Sequence, residues 1–154
     1  MTFQTRKPNR LPDYDYSTPN TYFVTVCTLN KQCLFGHITP TDNLSIPTMT
    51  LSSLGILTRT AILQIPAKYN GVTLDKFVIM PNHIHMLITQ NDSAVTLSAI
   101  ISRLKSHVTK QAGQPVWQQS FHDHIVRDQK PYDTVWEYID TNPQKWIDDV
   151  YHKE

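Results

Sequence analysis

The sequence predicts an α+β fold, in which an antiparallel sheet carries its helices on one face. Short apolar segments rich in Val, Ile, Phe and Tyr recur along the chain and are typical of strands. Longer segments between them repeat their apolar residues every three or four positions, which indicates amphipathic helices. Because the two kinds of segment alternate, helices and strands are expected to pack as layers around one core.

The composition is that of one globular domain preceded by a short arm. The chain has 154 residues, of which 40% are hydrophobic and 18% charged, and this length suffices for a core. Residues 1–19 hold three prolines and no periodicity, so they are interpreted as an N-terminal arm and residues 20–154 as the domain. No apolar run reaches the roughly 20 residues of a membrane span, and the arm lacks the centre of a signal peptide. With only Cys27 and Cys33, a reducing cytoplasm is the expected location.

The first half of the chain predicts a strand pair and then a helix. Thr21–Leu29 alternates β-branched and aromatic residues, which favours a strand. The pair Asn30-Lys31 is expected to turn the chain into a short partner strand at Cys33–Ile38. Apolar residues then recur at helical spacing over Thr50–Ala67, with Pro66 in the last turn or at the end of that helix.

Two histidines lie in the middle of the chain, just after the turn-forming pair Pro81-Asn82 that separates two short apolar strands. Side chains at i and i+2 of a strand point to one face, so His83 and His85 are expected side by side. Ile84 and Leu87 are expected on the opposite face. Two adjacent imidazoles are half of a metal site, but they also suit a solvated sheet face, and spacing leaves both interpretations open.

A second helix is predicted at Ala94–Gln111 and is expected to stop at Gly113. The segment that follows leads from a loop into a strand and contains a second His-x-His pattern. Its histidines, His122 and His124, compete with the first pair as a metal site.

A third helix is predicted at Tyr132–Thr141, and it carries Tyr138 and Ile139 on one side. Asn142-Pro143 ends it, because the residue before a proline is disfavoured in a helix, and a short helix at Gln144–Val150 should follow. The complete order is that of the ferredoxin-like β-α-β-β-α-β unit, extended by C-terminal helices that carry the tyrosine. In that fold the central histidines would lie on the sheet face away from, or beside, the packed helices, open to a substrate.

Side chains suited to nucleic acid lie in the arm and in the second half of the chain. The net charge of +1 gives no bulk argument for such a partner, although residues 101–130 carry a positive excess. The candidates for phosphate contact or base stacking are Arg103, Lys105, Lys110, Arg127, Tyr14, Tyr16 and Trp117. A solvated basic face on the second helix, and an arm whose tyrosines pack on the domain, explain the same residues.

Four stretches in a fixed order carry a family resemblance. They are Arg10-Leu-Pro-Asp-Tyr-Asp-Tyr with Tyr22-Phe-Val-Thr-Val-Cys-Thr, then Phe77-Val-Ile-Met-Pro-Asn-His-Ile-His, then Val116-Trp-Gln with His124-Ile-Val-Arg, and Glu137-Tyr-Ile-Asp-Thr-Asn-Pro-Gln-Lys-Trp. Met-Pro-Asn-His-x-His followed about fifty residues later by Tyr-Ile-x-x-Asn-Pro is far more specific than His-x-His alone. On these stretches the chain resembles the REP-associated tyrosine transposases, IS200-like members of the HUH superfamily of single-tyrosine transposases.

The resemblance implies a metal-dependent endonuclease and strand transferase that cuts single-stranded DNA near REP-like hairpins through a covalent 5′-phosphotyrosine. His83 and His85 match the metal-binding histidines of the family, Tyr138 its nucleophile, and Asn142 the polar residue that completes the metal site. The implied cofactor is Mg²⁺ or Mn²⁺, and two histidines suit Mn²⁺ better. The implied partner is single-stranded or hairpin DNA without a membrane, bound near the nucleoid by a monomer or a homodimer. His122 matches no ligand position of the family.

Two other functions compete with this interpretation. A hairpin-binding protein that no longer cuts would bind DNA and form no covalent adduct. A metal-dependent hydrolase of small phosphoesters could use either His-x-His pattern and would not need Tyr138. Spacing alone does not select Tyr138 among the seven tyrosines of the chain, so the nucleophile depends on the resemblance.

Overall fold

The computed structural model describes residues 20–39, 47–91 and 95–148; the arm with Tyr14 and Tyr16 therefore lies outside the described residues. Two 3₁₀ segments, Leu29–Lys31 and Asn142–Asp148, accompany the regular elements. No helix in the described ranges is both long and apolar enough to cross a membrane. In chain order the elements are β1 (Asn20–Cys27), β2 (Gly36–Ile38), β3 (Met49–Leu51), α1 (Ser53–Leu63), α2 (Ile65–Lys68), β4 (Val72–Met80), β5 (His83–Gln90), α3 (Leu97–Ala112), β6 (His122–Val126) and α4 (Gln129–Asp140).

The main sheet has the strand order β4-β5-β1-β6, and each neighbouring pair is antiparallel. The strands β1, β4, β5 and β6 with α1 and α3 form the predicted ferredoxin-like unit, so the fold class is confirmed. The β4–β5 hairpin turns at Pro81-Asn82, where the sequence placed its break.

One face of the sheet carries the main core, which α1 and α3 cover. Its buried sheet residues include Val24, Ile84 and Met86, which pack with Ile62 of α1 and Ile100 of α3. Full burial of each such side chain stabilises the fold by about 1.5–3 kcal/mol. Ile84 therefore faces this core, as predicted.

The opposite face is covered by α4. Phe23 of β1 and Leu87 of β5 form a second buried cluster with Val135 and Ile139 of α4. The prediction that Leu87 faces away from the histidines was wrong: it lies four residues after His83, and an even separation along a strand keeps side chains on one face.

Two local predictions were also wrong. The segment after β1 does not fold back on β1, because β2 pairs with β3 in a separate two-stranded sheet. The helix predicted from residue 50 is shorter than expected. Its predicted first residues lie in β3 (Met49–Leu51), and α1 begins after Ser52, which caps the helix by accepting a hydrogen bond from the N–H of Gly55 (3.0 Å). Pro66 stands in the first turn of a new short helix, where its missing N–H costs nothing. The stop of α3 at Gly113, with φ of 70°, is as predicted.

Candidate metal centre and tyrosine site

The histidine pair stands on the α4 face of the sheet, at the start of β5. His83 lies opposite Cys27 of β1, and His85 lies opposite Thr25. The Nε2 atoms of His83 and His85 are 3.1 Å apart, and both side chains are fully buried. Strand alternation predicted that they would be adjacent, but the expectation that they are open to a substrate was wrong.

The outer ring nitrogen of each histidine is held by a polar neighbour. His83 Nδ1 lies 2.8 Å from Asn82 Oδ1, and His85 Nδ1 lies 2.8 Å from Thr25 Oγ1. The Nδ2 atom of Asn82 donates to the carbonyl of Lys31 (3.3 Å), which leaves Asn82 Oδ1 as the acceptor at His83. His83 therefore carries its proton on Nδ1 and presents a lone pair on Nε2, the arrangement that metal-binding histidines adopt.

Burial keeps both imidazoles neutral near pH 7. Desolvation lowers the pKa of His85 to about 3. The same desolvation, together with the charge that His85 would carry, holds the pKa of His83 well below its usual range. The neutral imidazole is the form that ligates a metal ion.

The residues present fit a divalent cation. An octahedral ion with ligands at about 2.0–2.1 Å places adjacent donor atoms about 3 Å apart, which is the separation of the two Nε2 atoms. Asn142 contributes a further buried oxygen: it is 1% exposed, and its Oδ1 has no hydrogen-bond partner within the described ranges. Those ranges contain no cluster of three or more His, Cys, Asp or Glu suited to a metal. The two imidazoles therefore supply two converging donor atoms, and the amide oxygen of Asn142 is the candidate for a third.

Tyr138 lies over the histidine pair within the same chain. Its ring centroid is 5.3 Å from that of His85 and 6.0 Å from that of Phe23, both in edge-to-face geometry. Trp146, in the 3₁₀ segment that begins with Asn142, stacks on His83 at 6.3 Å. Helix α4 and the segment after it therefore close the histidine face.

Polar contacts that the sequence did not predict fasten α4 to β4. At the first turns of α4, Tyr132 donates its hydroxyl proton to Asp75 Oδ2 (2.8 Å). At the last turn, Lys76 Nζ pairs with Asp140 Oδ1 (2.7 Å) and lies 4.0 Å from the ring centroid of Trp136. Burial and the hydrogen bond to Asp75 raise the pKa of Tyr132 to about 12. One feature of the sequence pointed to these contacts: the charged pair Asp75-Lys76 lies in a strand whose other residues are mostly apolar.

The second His-x-His pattern lies on the same sheet face as the first, two strands away. His122 is opposite Thr25 and His124 is opposite Phe23, so His85, Thr25 and His122 form one row across β5, β1 and β6. Strands are about 4.8 Å apart, so the backbones of His85 and His122 are roughly 10 Å apart. His122 is half-buried, and His124 is exposed.

The predicted DNA-binding residues fall on different sides of the molecule. Helix α3 covers the sheet face opposite the histidines, so Arg103, Lys105 and Lys110 do not border the histidine pair. Lys105 Nζ donates to the carbonyls of Gln118 (2.9 Å) and Ser120 (3.0 Å), and its partial burial lowers its pKa. The remaining candidates with described side chains are Arg127, exposed after β6, and Trp117, buried. A role in DNA binding stays a prediction for all of them.

Comparison of the sequence with known proteins identifies a family. The IS200-like transposase family matches residues 56–142, just over half of the chain. An uncharacterized protein of Haemophilus influenzae is 34% identical over 94% of this chain and 91% of its own length. The REP-associated tyrosine transposase of Escherichia coli K12 is 29% identical over 80 residues, which are 50% of this chain and 48% of that protein.

Solved structures agree at the level of the fold. A REP-associated tyrosine transposase bound to a REP hairpin superposes with a TM-score of 0.63 at 23% identity, covering 88% of this chain and 74% of the other. A putative transposase from Deinococcus radiodurans R1 superposes with a TM-score of 0.52 at 13% identity, covering 86% and 95%. The family match and the relatives lead to one conclusion: this chain belongs to the IS200-like transposase family, and its role is a transposase-like one in DNA processing.

Proposed function

We propose that this protein is a metal-dependent endonuclease and strand transferase of single-stranded DNA, and that Tyr138 is its nucleophile. The observation that carries the proposal is the position of the Tyr138 ring, 5.3 Å from the ring of His85 on the face where the two Nε2 atoms converge. DNA near a REP-like hairpin is the proposed substrate. The structural relative bound to a REP hairpin and the REP-associated relative support that choice.

His83, His85 and Asn142 are proposed to hold a divalent cation, Mg²⁺ or Mn²⁺, with Mn²⁺ the better match to two imidazoles. A cation bound there would supply Lewis acidity at a non-bridging oxygen of the scissile phosphate. Asn82 and Thr25 keep the two imidazole rings oriented through their Nδ1 atoms. The packing of Tyr138 against His85 and Phe23 restricts where its oxygen can reach.

The proposed reaction is an in-line displacement at phosphorus. The phenolate oxygen of Tyr138 forms a bond to the phosphorus, the bond from phosphorus to the 3′ oxygen breaks, and that oxygen leaves with the electron pair and takes up a proton. The product is a 5′-phosphotyrosine and a free 3′-OH. A second 3′-OH can reverse the step and join strands, because the phosphotyrosine keeps the free energy of the ester.

Replacement of Tyr138 by phenylalanine tests the proposal directly. Tyr138→Phe keeps the ring and should retain the fold and the affinity for single-stranded DNA, while the covalent adduct and cleavage should fall below detection. The measurement is denaturing electrophoresis of labelled hairpin DNA with Mg²⁺ or Mn²⁺. Tyr69→Phe is the matched control, since Tyr69 is half-buried and packs with the core on the opposite sheet face. An adduct formed by Tyr138→Phe, or none formed by the unaltered protein, contradicts the proposal.

The same two proteins, assayed for adduct formation and for phosphoester hydrolysis, separate the two alternative functions. A hairpin-binding protein that does not cut would bind without any adduct in either variant. A small-phosphoester hydrolase would hydrolyse p-nitrophenyl phosphate equally well with and without the Tyr138 hydroxyl, since a cation held by the histidines would there supply an activated water as the nucleophile. Such a hydrolase also lacks support in the described ranges, where no carboxylate or thiolate cluster suited to a metal is found.

A further inference from the structure

An open groove runs between α3 and the segment Pro115–Phe121, on the side of the sheet away from the histidines. Its volume is about 1030 Å³. One wall is a line of hydroxyl side chains at four-residue steps on α3, Ser98, Ser102 and Ser106. Four-residue spacing keeps them on one helix face, so the hydroxyls form a continuous strip. Neither the proposed metal site nor Tyr138 borders this groove.

The chemistry of the groove suits a phosphodiester backbone. Two ammonium groups, Lys105 and Lys110, line it, and its described lining contains no Asp or Glu. Lys105 uses two N–H groups on backbone carbonyls, which fixes its position and leaves a third for a ligand. Hydroxyl and ammonium donors are the groups that hold phosphate oxygens without reading sequence. The positive charge of this lining would attract an anionic ligand and repel a cation.

The groove is joined to the histidine site through the end of β1. Trp117, in the groove wall, forms a β-bridge with Thr28, and Gln118 N–H donates to the carbonyl of Cys27 (2.9 Å). Cys27 is the residue opposite His83. The groove and the histidine pair therefore lie at the same end of the sheet on opposite faces. A strand that rounds this end can occupy both.

We propose that this groove binds the sugar–phosphate backbone of the single-stranded flank beside the hairpin on which Tyr138 acts. The inference rests on the proposed function, because it presumes a DNA substrate. A single strand is favoured over the duplex stem because the donors form one narrow line between a helix and a loop. Contact at this surface would be independent of base sequence and sensitive to salt.

The test places negative charge in the groove. Ser102 and Ser106 are exposed, so the double change Ser102→Glu with Ser106→Glu should leave the fold intact. The matched control is Thr60→Glu, an exposed hydroxyl residue of α1 outside the groove. All variants also carry Tyr138→Phe, so that no DNA is cut. Fluorescence anisotropy then measures binding of two labelled DNAs, a hairpin with a single-stranded flank and the same hairpin with a blunt end.

The groove variant should bind the flanked hairpin about tenfold more weakly, with the blunt hairpin unchanged and the control unchanged for both DNAs. Lys110→Gln, a milder change at an exposed residue, should reduce the salt slope for the flanked hairpin by about one. Unchanged affinity for the flanked hairpin overturns the proposal, and so does an equal loss for both DNAs, which would place the stem in the groove. Failure of the proposed function shows separately, as absence of adduct with intact Tyr138.

Discussion

At the scale of single residues, the buried histidine pair makes stability depend on pH. The pKa of His85 is lowered to about 3, and that of His83 is also well below its usual range. Below pH 6.5 these two histidines therefore bind protons in the unfolded chain but not in the folded chain. The free energy of unfolding of the metal-free protein should therefore fall from pH 6.5 towards pH 3, by up to about 1.4 kcal/mol per pH unit for each histidine. Urea unfolding between pH 7.5 and 5 measures this slope.

A double change, His83→Gln with His85→Gln, should flatten that slope, whereas His37→Gln, at an exposed histidine of β2, should leave it unchanged. A slope that persists in the double variant would assign the proton uptake to other groups.

A second prediction at this scale concerns Asn142 Oδ1, which has no hydrogen-bond partner among residues 20–39, 47–91 and 95–148. Asn142→Asp places an uncompensated carboxylate at a buried position, so the free energy of unfolding without metal should fall by about 3–5 kcal/mol. The carboxylate is a stronger ligand for a hard cation, so the rise in melting temperature on adding Mn²⁺ should increase. Gln144→Glu adds the same charge at an exposed position two residues later and is the control. An equal response to Mn²⁺ in both variants would remove Asn142 from the proposed ligand set.

At the scale of elements, α4 is held on the sheet at both ends, by Asp75 at its start and by Lys76 at its end. Asp75→Asn weakens the first contact, so we expect Tyr138 to be less well positioned and kcat for DNA cleavage to fall about tenfold with KM nearly unchanged. The pKa of Tyr132 should return towards 10, which a spectroscopic titration of its phenolate would detect.

Glu137→Gln, an exposed change on the same helix, is the control for this prediction. A KM effect without a kcat effect, or an unchanged Tyr132 titration, would show that Asp75 does not position α4.

Elements were predictable from the sequence to the extent that their signals are local. Alternation in Thr21–Leu29 and helical spacing before Gly113 identified β1 and α3 with shifts of a few residues at their ends. The packing partner of α4 was not predictable, because an apolar stripe shows that a helix is covered and does not show by which surface. For the same reason, the sequence did not show on which face of the sheet α3 packs, and so did not show where Arg103 and Lys110 lie relative to the histidines.

At the scale of the whole molecule, one chain holds the proposed nucleophile and the histidine pair side by side. Tyr138 packs on His85 of its own chain, and α4 is fastened to its own β4. We therefore expect no activity from a mixture of His83→Ala and Tyr138→Phe proteins, because neither chain holds both groups. Adduct formation by the mixture, measured on denaturing gels, would show that a tyrosine is shared between subunits of a dimer.

The order of elements predicted the overall topology correctly, because a β-α-β-β-α-β chain has few ways to bury its apolar faces. The candidate site was predicted in part. Alternation along β5 paired His83 with His85, and the resemblance selected Tyr138. The complete burial of the two histidines was missed, since it depends on Trp146 and α4, which lie more than forty residues away in the sequence.

The burial of the histidine pair also sets a timescale. The rings of Tyr138 and Trp146 pack on the fully buried histidines, so an ion at the proposed site would enter and leave through local opening of this packing. A chelator in solution would then remove a bound ion at the rate of opening, whatever its own concentration. If the concentrations of Mg²⁺ and Mn²⁺ in a cell changed faster than the site opens, the identity of the bound ion would reflect the earlier concentrations.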